Sequence, residues 1–291
     1  MHFVVLLIIE FQKHRLFTSG NSRNILTILC DFMTKLNYFF LLIIVCFVQA
    51  CTLLTINYGN NPQAGHYARI NGINLYYETY GKGKPLIMLH GNGGSIAEFK
   101  YQIPFFEKHY KVIAIDSRLQ GKSGGAADTL SYDMMAADFA GLLDYLKIDS
   151  AYVLGWSDGG IDGLILAMHF PKKVSKLAIT GANIVPDTTA MYAADIEQMK
   201  HTALTSTSER EKTLNRMMIF QPQIPYTYLK KIHCSVLVMA GDKDMIKLKH
   251  TQKIYQSIPS ASLCIFPDSY HHVCQQHPEL FNQTVQTFFD K

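Results

Sequence analysis

This chain of 291 residues has no C-x-x-C pair, no block of basic residues, no internal repeat and no low-complexity tract. Each absence excludes something. Six cysteines without paired spacing argue against a zinc site. With no basic block beyond the N-terminal region, nothing points to nucleic acid. Charge is sparse altogether: 17% of residues are charged, 27 basic against 23 acidic, for a net charge of +4. Apolar residues make up 48%, enough to bury a sizeable core, so disorder is excluded as the dominant state. The longest apolar run, Tyr38 to Val48, falls short of the roughly 20 residues a bilayer span needs.

That run has a recognisable setting. Lys35 precedes it, Met33 precedes Lys35, and Val48-Gln49-Ala50-Cys51 follows it. This is the order of a secretory signal read from Met33, so residues 1–50 are expected to be a leader, with residues 1–32 an upstream extension. The length of the run favours a cleaved signal over a permanent anchor. Residues 48–51 also resemble a relaxed lipobox, leaving two readings: plain cleavage after Ala50, or lipid modification and a membrane tether through Cys51. Either makes the chain an exported one, periplasmic or a membrane-anchored lipoprotein. Export would permit a disulfide, although Cys234 and Cys264, at or within apolar runs, suit buried free thiols.

Residues 51–65 are polar and turn-rich and read as a linker to a domain at 66–291. Tyr67–Ile70 and Ile73–Tyr80 flank Asn71-Gly72, a hairpin turn signal. Short apolar runs follow at Leu86–Leu89, Val112–Ile115, Tyr152–Leu154, Leu177–Thr180, Val236–Met239 and Leu263–Phe266. Their length suits strands buried on both faces. Helical patterns lie between them, at 95–108, 132–146, 158–169, 248–258 and 278–289. A hairpin followed by βα repeats predicts an α/β fold with a mostly parallel, doubly wound sheet of about eight strands. Residues 184–232 interrupt the rhythm with no strand, and read as a short helical cap over a site.

Gly155-Trp156-Ser157-Asp158-Gly159 matches G-x-S-x-G between a predicted strand and a predicted helix. A serine on so sharp a turn projects its Oγ above the sheet edge, and the helix N-terminus favours a developing oxyanion. His90-Gly91-Asn92-Gly93-Gly94 follows another strand; its flexible loop can aim the Asn92 N–H at a substrate carbonyl beside the N–H of Asp158. Gly241-Asp242-Lys243-Asp244 supplies two candidates for an orienting acid, and His271 and His272 are two candidates for a base. The chain order Ser, Asp, His is that of α/β hydrolases. Trp156 and Asp158, flanking the serine, are candidate substrate contacts. Asp158 has an alternative role as a helix-start acid favoured by the dipole. Two motifs are set aside. Gly121-Lys122-Ser123 ends like a P-loop, but Asp116 stands where its first glycine belongs. Asn282-Gln283-Thr284 is a sequon inside a predicted packed helix.

On these motifs the chain resembles the α/β-hydrolase superfamily over residues 66–291. Asp116-Ser117-Arg118-Leu119-Gln120-Gly121-Lys122-Ser123 is similar to that family's D-x-R-G-x-G-x-S loop, with Leu119 where the family has glycine. The resemblance implies Asp244, the last residue of G-x-x-D, as the acid. It implies His271, seven residues before Pro278-Glu279, as the base. Tyr270 departs from the glycine or asparagine usual there. The run Gly155 to Ile161, with Gly181-Ala182-Asn183, looks like the valacyclovir-hydrolase-like branch, whose members include esterases acting on α-amino acid esters. That branch implies a substrate ammonium held at Asp158.

The expectation is a serine hydrolase acting on a small-molecule carboxylic ester, without cofactor or metal. Ser157 is the nucleophile, His271 the base and Asp244 the orienting acid, with Asn92 and Asp158 N–H groups on the oxyanion. The same triad serves amidases, thioesterases, carbon–carbon bond hydrolases and perhydrolases. A non-catalytic ligand-binding protein on the same fold is the alternative from another class.

Overall fold

The computed structural model describes residues 21–52, 56–126 and 130–291. It contains two compact units, Met1–Ile56 and Asn57–Lys291. Within the first, helix α1 (Asn21–Thr52) carries the apolar run, and Phe39, Phe40, Leu41, Leu42 and Ile43 on it are exposed. Among the described residues no helix is long and apolar enough to cross a membrane. The first 20 residues of the expected leader, and the side chain of Cys51, lie outside the described residues.

The second unit is built on eight strands: β1 (Gly65–Ile70), β2 (Ile73–Tyr80), β3 (Lys84–Leu89), β4 (Tyr110–Ile115), β5 (Ala151–Trp156), β6 (Val174–Thr180), β7 (Ser235–Gly241) and β8 (Ala261–Phe266). They form one sheet in the order β1-β2-β4-β3-β5-β6-β7-β8. The first hairpin and the β2/β4 pair are antiparallel, and every pair from β4 to β8 is parallel. This is the α/β-hydrolase architecture expected from the motif order. Alternation along the strands explains their unbroken apolar runs. Ile87 and Leu89 enter one core while Leu86 and Met88 enter the other, and Val153 faces away from Tyr152 and Leu154. A strand covered on both sides has no polar face to show.

The covering helices are α2 (Tyr132–Tyr145), α3 (Asp158–His169), α6 (Leu248–Ser257) and α7 (Pro278–Asp290). Between β6 and β7 lie α4 (Ala193–Thr205) and α5 (Glu209–Phe220), the two helices of the expected cap. The single helix expected at 95–108 is instead a 3₁₀ turn, Ile96–Phe99, and a short helix, Ile103–Phe106. Pro104 at its first turn has no N–H to continue a helix from upstream. Asn282, in the sequon, is buried in α7: its amide donates to the Tyr101 carbonyl and accepts from Gln102. Cys234 and Cys264 are half-buried free thiols and Cys274 is a buried one.

From Asn57 onward the segment read as linker is fastened to the sheet by one carboxylate. Glu78, fully buried on β2, accepts from the backbone N–H of Gly59 and of Asn61 at 2.8 Å each, and from the hydroxyls of Tyr76 and Tyr80 at 2.7 Å each. Four donors on two oxygens leave no room for an amide, whose N–H₂ would face donors. Glu78→Gln is therefore expected to lower unfolding stability by roughly 2 kcal/mol or more, read as the urea midpoint of the full chain. An unchanged midpoint would refute this role.

Candidate active site

The parallel register brings the C-terminal ends of β3, β5, β6, β7 and β8 level. Leu89 pairs Gly155, Trp156 pairs Thr180, Thr180 pairs Met239 and Gly241 pairs Phe266. The loops leaving these ends converge, as ligand sites of open α/β sheets do.

Ser157 sits on the turn from β5 to α3 with φ 55° and ψ −118°, a left-handed conformation unusual for a side-chain-bearing residue. Its N–H donates to Thr180 O at 2.9 Å and its own carbonyl accepts the Gly160 N–H at 2.8 Å. The flanking glycines are required sterically. A Cβ on Gly159 would lie 1.9 Å from Leu89 O, and one on Gly155 would lie 2.2 Å from Gly159 O. The turn therefore holds Ser157 in a strained geometry by backbone close-packing on both sides.

The Ser157 hydroxyl donates to His271 Nε2 at 2.8 Å, and His271 Nδ1 donates to Asp244 Oδ1 at 2.7 Å. Asp244 is buried, and the same oxygen accepts the Ile246 N–H at 2.9 Å. An acid that can only accept fixes the proton on Nδ1 and leaves Nε2 free to take one from the serine. Of the two adjacent histidines it is His271 that completes the chain; His272 is exposed, its ring tilted against that of Trp156 with centroids 4.9 Å apart. Of the two acids it is Asp244. Asp242 is exposed and its carboxylate accepts the Ser269 N–H at 3.0 Å, bracing the loop that carries His271. The Trp156 indole donates to His271 O at 2.9 Å, fixing the backbone of the histidine while its ring lines the cavity.

Gly91 brings the β3 loop against Ser157: a Cβ there would lie 3.2 Å from the serine's Cβ. Among the described residues neither Asn92 N–H nor Asp158 N–H has a hydrogen-bond partner. The side chains of the same two residues are joined, Asn92 Nδ2 donating to Asp158 Oδ2 at 2.8 Å. This link, which motif reading did not foresee, ties the loop bearing one donor to the helix start bearing the other. Asp158 is buried, also lies against the Tyr132 hydroxyl, and is pushed up to about 6 by burial, which those two partners and His271 oppose. The N-cap of α3, Ser157, makes no side-chain capping bond, and Asp158 is the acid of the first turn.

The loop is set from below by His90, fully buried. Its Nε2 accepts the Ser117 N–H at 3.0 Å and its Nδ1 donates to Gly91 O at 2.7 Å. Ser117 belongs to the Asp116–Ser123 loop, where Leu119 takes the glycine position with a left-handed φ of 63° and packs its side chain on the core. The backbone strain at Leu119 is what a glycine there would relieve.

Above the serine lies a cavity of about 610 Å³, lined by Asn92, Trp156, Ser157, His271 and, from the cap, Met199, Arg210, Glu211, Leu214 and Met218. A smaller space of about 50 Å³ shares Ser157, His271, Met199, Met218 and Met245 with it and reaches Asp158 and Tyr132. The methionines give an apolar, adaptable lining. Among the described residues no group of three or more His, Cys, Asp or Glu is placed to hold a metal.

Residues 84–201 match the family model described as the alpha/beta hydrolase fold. The human protein named serine hydrolase BPHL is 26% identical over 251 residues, 75% of this chain and 84% of that protein. The chain has the α/β-hydrolase fold and is similar to members of the α/β-hydrolase superfamily. A 3-oxoadipate enol-lactonase of Acinetobacter baylyi shares 32% identity with this hydrolase over 107 residues, 36% of the chain and 40% of that enzyme. The crystal structure of a bromoperoxidase from Bacillus anthracis superposes with a TM-score of 0.71 at 22% identity, covering 78% of this hydrolase and 100% of that chain, a likeness of fold.

The His90 contacts carry a pH dependence. Burial holds this imidazole down at about 4, against 6.5 when free. The unfolded chain therefore binds a proton between pH 6.5 and 4 that the folded one refuses, so stability falls as pH drops through that window. The stability lost in His90→Gln should be greatest near pH 7 and shrink as pH approaches 4, measured by thermal unfolding of both proteins. The other buried histidine, His250, also held at about 4, is common to both and cancels. A gap independent of pH would contradict the neutral His90 role.

Proposed function

We propose that this hydrolase cleaves a small-molecule carboxylic ester through an acyl-enzyme on Ser157. The observation that carries the proposal is the unbroken chain Ser157 Oγ, His271 Nε2, His271 Nδ1, Asp244 Oδ1, with both links under 3 Å. Ser157 attacks the ester carbonyl as His271 takes its proton. The N–H groups of Asn92 and Asp158 receive the oxyanion, and Asp244 stabilises the imidazolium. His271 then returns the proton to the departing alkoxide, and water reverses the sequence to release the acid. A strained, backbone-fixed serine means the nucleophile is positioned before substrate arrives. A complete relay facing a cavity supports an enzyme over a ligand-binding protein of the same fold.

In this reading Trp156 and Asp158 act mainly by position: Trp156 holds His271, and Asp158 holds Asn92. A substrate ammonium at Asp158 would have to compete with the Asn92 amide and the Tyr132 hydroxyl.

Wild-type protein is expected to give a burst of chromophore from a p-nitrophenyl ester, equal to the enzyme present. Ser157→Ala and His271→Ala should each lose roughly 10³-fold or more in kcat while keeping the fold. His272→Ala should lose far less. Near-wild-type turnover in Ser157→Ala would sink the mechanism, and the reverse order for the two histidines would sink the assignment of the base.

A further inference from the structure

Among the described residues one permanently cationic side chain lines the cavity above Ser157, Arg210 of α5, which is also exposed to solvent. Its placement is unfavourable for the helix alone. Arg210 lies in the first turn, where the macrodipole favours acids, and its neighbours Glu209 and Glu211 obey that preference. Glu211 is occupied locally: its N–H donates to Ser208 Oγ at 3.3 Å, and its carboxylate accepts from Ser206 Oγ. Glu209 pairs with Lys212 at 2.6 Å. Among the described residues Arg210 has neither a hydrogen bond nor an ion pair.

The rest of the wall is mixed: Thr202, Ser208 and Asn215 are neutral polar groups beside the apolar side chains. Met199, Leu214 and Met218 are apolar, and Asp158 is held in the smaller space by Asn92. An exposed guanidinium, unpaired among the described residues, set against its helix dipole and lining the cavity that holds Ser157, is free to offer its fork to a carboxylate entering there.

We propose that Arg210 is a specificity-determining residue that binds a carboxylate on the substrate, so that the preferred ester is one bearing a second, free acid group. The proposal rests on the ester-hydrolase reading for turnover, but its binding component does not. Arg210 takes no part in the proton relay, so removing its charge leaves the chemistry on neutral esters untouched.

The test compares p-nitrophenyl glutarate, whose acyl chain ends in a free carboxylate, with its methyl-capped counterpart. Wild type should favour the free acid in kcat/KM by about tenfold. Arg210→Gln should remove that preference through KM, with the capped ester cleaved as before, and Arg210→Lys should restore part of it. In parallel, monomethyl glutarate is titrated calorimetrically into Ser157→Ala and into Ser157→Ala with Arg210→Gln, a readout needing no turnover. Binding weakened about tenfold or more by loss of Arg210 supports the anchor even if neither ester is cleaved, in which case only the ester reading fails. Equal preference in wild type, an equal loss on both esters in Arg210→Gln, or binding indifferent to Arg210 would overturn it.

Discussion

Gly155, Ser157 and Gly159 share one steric constraint: the turn out of β5 runs so close to β3 and to its own helix that no Cβ fits on either side of the serine. The left-handed φ of Ser157 follows from that crowding. Its consequences spread outward. The serine hydroxyl is lifted to the sheet edge, the Asp158 N–H at the start of α3 is left without an acceptor, and the carboxylate of Asp158 is brought to Asn92. Positive-φ strain of this kind costs on the order of 1–3 kcal/mol. It persists because parallel pairing of β5 with β3 and β6 fixes both ends of the turn.

The second half of the site is held by different means. His271 and Asp244 come from the loops after β8 and β7, and each is braced by a contact unrelated to proton transfer: the Trp156 indole on the His271 carbonyl, the Ile246 N–H on the Asp244 carboxylate, and Asp242 on Ser269. Gly181 matters here as well. It lies with φ 64° where a Cβ would stand 2.8 Å from the His271 ring. The glycine after β6 is therefore a space requirement of the imidazole. Two neutral buried histidines, His90 and His250, tie the remaining loops, the latter through the Ile184 N–H at 3.1 Å and the Tyr226 hydroxyl at 2.7 Å.

Much of this was legible in the sequence, and the reason is physical. Strands covered on both faces show as unbroken apolar runs, so β3 to β7 stood out at Leu86, Val112, Tyr152, Leu177 and Val236; β8, read the same way from Leu263–Phe266, is instead an edge strand with only Phe266 fully buried. The elbow showed because only glycine fits at 155 and 159. Choosing His271 over His272 needed the spacing to Pro278, which sets where α7 begins. What was not legible depends on contacts between segments far apart in the chain. The Asn92 to Asp158 link joins residues 66 positions apart, and the Glu78 hub gathers donors from a stretch that reads as linker. Arg210 carries no motif; its signal is a basic residue in the first turn of a helix that otherwise begins with acids. The break at Pro104 was visible, but the apolar residues around it kept a helical period.

The central claim is that the folded arrangement, and not the serine by itself, makes Ser157 a nucleophile. The most direct measurement is reaction of the native protein with a fluorophosphonate probe, followed by peptide mapping, with a urea-unfolded sample treated in parallel. The account predicts one adduct, on Ser157, in the native protein and none in the unfolded one. Labelling at another residue, or equal labelling of Ser157 in both samples, would contradict it.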